Sequence, residues 1–158
     1  MASWAARVST RERGGAAVEF ALIAPLLLML VFGIADFGWM LMKANLVNSA
    51  TRDAARVASL AGTYDEIEDS VEVSLASAGI DVDDVDVTIT CTNASGPGCA
   101  DSPASYDANV TSGSVVTVTV SYTHSWITPM GAMCGLFADD SCVGDTIVLE
   151  RTSQMVRE

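Results

Sequence analysis

Between Arg56 and Arg151 the chain contains no lysine or arginine, and its 158 residues include a single lysine, Lys43, and a single histidine, His124. Acidic side chains fill that span instead, at Asp65, Glu66, Glu68, Asp69 and Glu72 and again at Asp81, Asp83, Asp84 and Asp86, and the formal net charge is −12. A body so poor in cations repels a phosphate backbone, which excludes nucleic acid as a partner. With one histidine, and no orienting third group or oxyanion donor suggested around His124-Ser125, no catalytic constellation is legible, and the chain reads as a non-enzyme. The acidic run 81–86 lacks the spacing of an EF-hand and reads as a solvated turn before a strand. The cysteines Cys91, Cys99, Cys134 and Cys142 lack the close spacing of a zinc site, so no metal or cofactor is expected. Being even in number, they suit a disulfide framework. The local pairs Cys91/Cys99 and Cys134/Cys142 are the favoured connectivity of three, and spacing leaves the crossed ones open.

Charge is also missing from one long stretch. From Phe20 to Ala35 there is no ionisable side chain, and Asp36 alone interrupts the apolar character before Met42. About 20 mostly apolar residues suffice to cross a hydrocarbon core of roughly 30 Å, so a helix over 15–42 is expected to span a bilayer once. Arg7, Arg11 and Arg13 precede it against one acid, Glu12, which favours a cytoplasmic N-terminus and an outer body over 43–158. Asp36, Trp39 and Lys43 read as an interfacial belt with an ion pair. Residues 1–14 are a short basic leader. A secretory signal would carry a small-residue cleavage site after the apolar core, and none is evident there, so the processing candidate is Gly14-Gly15 at its mouth. Glu19, just inside the apolar run, is costly to insert and calls for a partner or a function.

Past Met42 the pattern becomes amphipathic. Leu46, Val47, Ala50, Ala54, Val57, Ala58 and Ala61 share one face, and neither Pro nor Gly occurs between Gly38 and Gly62. One continuous helix over about 16–61 is expected, bent at Pro25 and stopped by Gly62. Thr63-Tyr64-Asp65-Glu66 has the form of a capping box opening a second helix, with Ile67, Val71, Leu75 and Ala78 as its apolar stripe and Gly79 as its end. The period then falls to two over 85–91 and 115–124, and a last strand is expected within 145–155. Residues 92–113 and 126–144, rich in turn formers, read as irregular loops. Asn93-Ala94-Ser95 and Asn109-Val110-Thr111 fit glycosylation acceptors and are read as chance. The expected class is therefore α+β: one long N-terminal helix, membrane-spanning in its first half and amphipathic in its second, a second helix and a small antiparallel sheet.

The run from Arg13 through Gly14, Gly15, Ala16, Ala17, Val18, Glu19 and Phe20 to Leu27, together with Asp53-Ala54-Ala55-Arg56, resembles the TadE-like family of tight-adherence (Flp-type) pilus assembly proteins. The resemblance covers about 7–60. It implies a pilin-like subunit, or pseudopilin, cleaved by a prepilin peptidase after Gly14, leaving Glu19 as the fifth residue beside Phe20. Cleavage after Gly15 would leave Glu19 fourth, and the double glycine keeps both bonds open. The implied role of Glu19 and Phe20 is assembly, the implied partners are the peptidase, other pilus subunits, assembly-platform membrane proteins and the lipid bilayer, and the implied location is the inner membrane or the pilus. The sizeable outer body suits a minor component rather than a major pilin. The rival reading is a membrane-anchored extracytoplasmic binding module that is never processed.

Overall fold

The computed structural model describes residues 11–96, 98–128 and 146–158. Helix α1 runs from Arg11 to Ser59 without a break. At 1.5 Å per residue it is about 74 Å long. It begins earlier than the glycine pair suggested, because Arg11-Glu12-Arg13 are good helix formers and two glycines inside a long helix lower its stability without ending it.

The first half of α1 presents bare apolar side chains: Phe20, Leu22, Leu26 and Ile34 are each more than 60% exposed. It is the one helix among the described residues long and apolar enough to cross a membrane. The second half is half-covered. Val47, Ala50, Ala54, Ala55 and Ala58 are buried, while Asn45, Ser49, Arg52, Asp53 and Arg56 stay exposed. Small side chains let the helix backbone lie close to its neighbours, and the buried hydroxyl of Thr51 donates to Val47 O at 2.7 Å, so the face carries no unsatisfied polar atom there.

Helix α2, Tyr64–Ser77, returns along α1 after a short turn. Its capping box is formed as expected: Thr63 Oγ1 accepts from Glu66 N, and Glu66 accepts from Thr63 N at 3.0 Å. Tyr64, Ile67, Val71 and Leu75 are buried along one stripe. Gly79, with φ +74°, closes the helix in a Schellman turn, in which Ile80 N–H reaches Leu75 O and Gly79 N–H reaches Ala76 O, both at 3.0 Å.

The end of α1 corrects the expectation placed on Gly62. The left-handed position is occupied by Ala61, φ 66°, and Gly62 is needed for space, since a Cβ there would meet Val57 Cγ1 at 2.7 Å and Val57 O at 2.9 Å. Ala61 is exposed rather than part of the buried face, and its strained turn is held from afar. The Arg157 guanidinium donates to the carbonyls of Ala61 and Gly62, both at 3.2 Å, and Glu158 N–H donates to Ser59 O.

After a 3-10 turn at Val82–Asp84, the strands β1 (Val85–Thr92), β2 (Val115–Ser125) and β3 (Thr146–Val156) form one antiparallel sheet in the order β1-β2-β3. Pairs Val87↔Val120, Ile89↔Val118 and Tyr122↔Leu149 fix a register that puts Val116, Val118, Val120, Tyr122 and His124 on one buried face. α1 packs over β2 and β3, and α2 packs against α1 and reaches β1. The opposite face, with Thr117, Thr119, Ser121 and Thr123, is polar and half-exposed.

The segment read as an irregular loop over 92–113 contains a helix, α3 (Pro103–Asn109). Ser102 caps it and Pro103 takes its first turn, a pairing that polar composition masked; Tyr106 is its one buried side chain. Cys91 and Cys99 form a disulfide. Their backbones also exchange hydrogen bonds at 3.3 and 2.9 Å, and Asp101 accepts Ile89 N–H at 2.8 Å, so the free edge of β1 is covered where a second chain could pair. Cys134 and Cys142 lie outside the described residues.

Ala61 and Gly62 are expected to respond oppositely to substitution. Ala61→Gly raises stability by about 1 kcal/mol, the cost of a left-handed alanine, while Gly62→Ala lowers it by about 1–3 kcal/mol through overpacking against Val57. Urea unfolding of the detergent-solubilised full chain measures both; opposite signs at adjacent residues are the expected signature.

Candidate functional site

Two regions carry the residues of interest. The first is the mouth of α1. Gly14, Gly15, Glu19 and Phe20 are all exposed, and a Cβ built on either glycine meets nothing within 4 Å. Gly15 and Glu19 stand four residues apart in the helix, hence on one face a turn apart. That spacing lets a carboxylate reach back toward an amine placed at residue 15. Both stand in the bare half of α1, ahead of Asp36, the first buried position among the described residues.

The second region is the place where the outer fold grips α1. Asp36 is 1% exposed, although it lies inside the apolar run. Thr128, just past β2, donates its hydroxyl to the Asp36 carboxylate, across 92 residues of sequence. Lys43 donates to the Tyr122 hydroxyl and lies 4.8 Å over its ring. The expected belt with an Asp36–Lys43 ion pair is thus corrected. Each of the two charges is taken by the outer fold instead, because β2 and its exit segment descend past Met42 and cover this turn of the helix. A carboxylate in an apolar stretch is far less costly when protein, rather than lipid, supplies its donor.

Elsewhere the polar side chains are structural. Tyr64 OH donates to Asp101 at 2.9 Å and Tyr64 N–H to Asp107 at 3.2 Å, binding α2 to the segment around α3. Burial and the adjacent Asp101 carboxylate push the Tyr64 phenol well above its ordinary range. Asn93 of the first glycosylation-like triplet donates its amide to Asn109 O at 2.9 Å and accepts from Ser114 Oγ, so its side chain is committed within a polar cleft of about 450 Å³. Among the described residues no group of three or more His, Cys, Asp or Glu side chains could hold a metal ion.

A long apolar helix whose continuation packs on a small antiparallel sheet makes the chain an α+β protein. Residues 14–56 match the model of the family described as TadE-like protein, the family that the sequence resembles. Over that stretch the chain is similar to the TadE-like family, and its one long apolar helix fits a single-pass membrane protein. Comparison with curated proteins and with solved structures finds no match.

The acidic face of α2 yields a prediction. Burial raises the Glu68 pKa, and Glu72, Asp65, Asp69 and Asp101 raise it further. A carboxyl whose folded pKa exceeds its unfolded value destabilises the fold when ionised, and that penalty disappears as pH falls through the folded pKa toward the unfolded one. Glu68→Gln is therefore expected to stabilise by a few tenths of a kcal/mol at pH 7, as for any relieved like-charge i,i+4 pair. The gain vanishes below about pH 4, where carboxyls are neutral in both states. Chemical denaturation at the two pH values reads the difference.

Proposed function

We propose that this chain is a minor pilin-like subunit, a pseudopilin, that a prepilin peptidase cleaves between Gly14 and Gly15 before it takes part in building a tight-adherence pilus. The observation that carries the reading is the family match, which begins at Gly14 and includes Glu19 and the whole apolar run. The exposure of the glycine pair supports it, since two weak helix formers standing clear of other side chains let the helix open locally for a peptidase. Its leader is cytoplasmic, its apolar half of α1 spans the inner membrane, and the sheet and α2 lie outside, where Cys91–Cys99 persists as a disulfide.

After cleavage the new α-amine and the Glu19 carboxylate lie near the apolar phase, and pairing them, within one chain or between neighbours, lowers the cost of both. Exposed Phe20 beside them offers an aromatic contact to a neighbouring helix. The outer domain, bulkier than a helix alone, suits a component that primes or caps assembly rather than one that repeats along a filament.

Intact-mass analysis of the protein from cells containing the peptidase tests the processing. Loss of residues 1–14 removes Arg7, Arg11, Arg13 and Glu12, a net +2, so the mature chain carries −12 − 2 = −14. Gly14→Leu blocks the cleavage. Full-length mass from wild-type cells would contradict the proposal and favour an unprocessed binding module. Glu19→Ala and Glu19→Gln are expected to insert, be cleaved and fold as the wild type does, and to lose co-purification with pilus components. If both variants still support piliation, the carboxylate has no assembly role.

A further inference from the structure

One buried group is used by none of this. His124 has no exposed surface, and neither ring nitrogen has a hydrogen-bond partner among the described residues. It is sandwiched along β2 and its exit, with ring centroids 6.2 Å from Tyr122 and 5.7 Å from Trp126, the latter edge-on. α1 brings the two charges of the grip toward it, Asp36 and Lys43. β3 pairs with it through Ile147, its partner in register, with buried Leu149 and exposed Arg151 two and four residues further along the strand. The 3-10 turn approaches β2 carrying exposed Asp83 and Asp84.

A buried imidazole without a partner stays neutral, since an imidazolium there would be desolvated and close to the Lys43 ammonium. Burial lowers the His124 pKa, Lys43 lowers it further, and Asp36 opposes them. Among the described residues the neutral ring is held by packing alone. Adding a proton changes what the site wants: water, and distance from Lys43. Both are gained by moving the end of β2 away from α1, against the pull of the Asp36 carboxylate, and that motion disturbs the contacts that grip the helix, Lys43 to Tyr122 and Thr128 to Asp36.

We propose that His124 makes the junction between the outer domain and α1 a proton-sensitive joint: on acidification the imidazolium drives the Tyr122–Thr128 end of the sheet off the Asp36–Lys43 turn of the helix. The rest of the fold remains docked, because the buried face from Val47 to Ala58 and the Arg157 clamp lie further along α1. The Tyr122–Thr128 end consequently lifts from the helix while the outer domain keeps its seat on α1 and stays folded. The sign follows from linkage. A histidine whose folded pKa is below its unfolded value binds fewer protons in the native state, so the closed joint loses stability as pH falls below about 6.5.

Because His124 is the sole histidine, a carbon-13 imidazole label gives one resonance in the full chain, provided the purification tag contains no histidine. Titration from pH 8 to 4.5 in lipid nanodiscs should show that resonance moving with a midpoint below 6.5, and the backbone signals of 36–44 and 122–128 moving with the same midpoint. In His124→Phe those backbone signals should no longer follow that midpoint. An imidazole titrating at 6.5 or above would overturn the proposal, as would a lowered midpoint that leaves the 36–44 signals unmoved or a response preserved in His124→Phe. Should that variant fail to fold, the co-titration in the wild type decides alone.

Discussion

The contact on which the remaining structure depends is the burial of Val47, Ala50, Ala54, Ala55 and Ala58 of α1 against β2, β3 and α2. A three-stranded sheet with one polar face has too little apolar surface to stand alone, and a single helix with its apolar half bare has none to spare for it. The outer half of α1 supplies the missing layer. Alanine is suited to this because it lets backbones approach closely at little entropic cost, and β2 answers with Val116, Val118 and Val120. The core of the outer domain is thereby built on the same helix that carries the apolar run, with no turn between them.

That continuity gives the junction its character. Helix α1 passes from bare apolar surface to protein cover near Asp36, and the domain closes over the charge rather than leaving it in lipid. The helix end is fixed equally firmly by Arg157 and Glu158, so the chain's last described residues hold the turn that Ala61 strains. On the proposed function, a component whose helix is engaged by neighbours in the membrane passes a rotation of that helix to its outer domain, and the proposed His124 joint lies where the two halves meet.

Much of this was legible because it is local. The change of period from 3.6 to 2, the Thr63/Glu66 capping box, the Gly79 stop and the short Cys91–Cys99 loop all leave signals within a few residues, and all are present. The TadE-like motif at 14–27 was likewise a local pattern, and the family match extends to residue 56. What escaped was non-local or compositionally disguised. Thr128 meets Asp36, and Arg157 meets Ala61 and Gly62, across more than 90 residues. α3 hid in a polar stretch because seven residues with one buried tyrosine show no period. Ala61 rather than Gly62 took the left-handed position because spacing from the last packed residue, not residue preference, decided where the helix turned.

On the proposed function, the bare apolar half of α1 serves assembly as well as anchorage. A photo-crosslinking residue at Leu27, which is 54% exposed, tests it in cells that are building the pilus. Adducts with other membrane components of the pilus system are expected, lost in the Glu19→Ala background. Recovery of the chain only as an uncrosslinked monomer, in cells that are piliated, would contradict it.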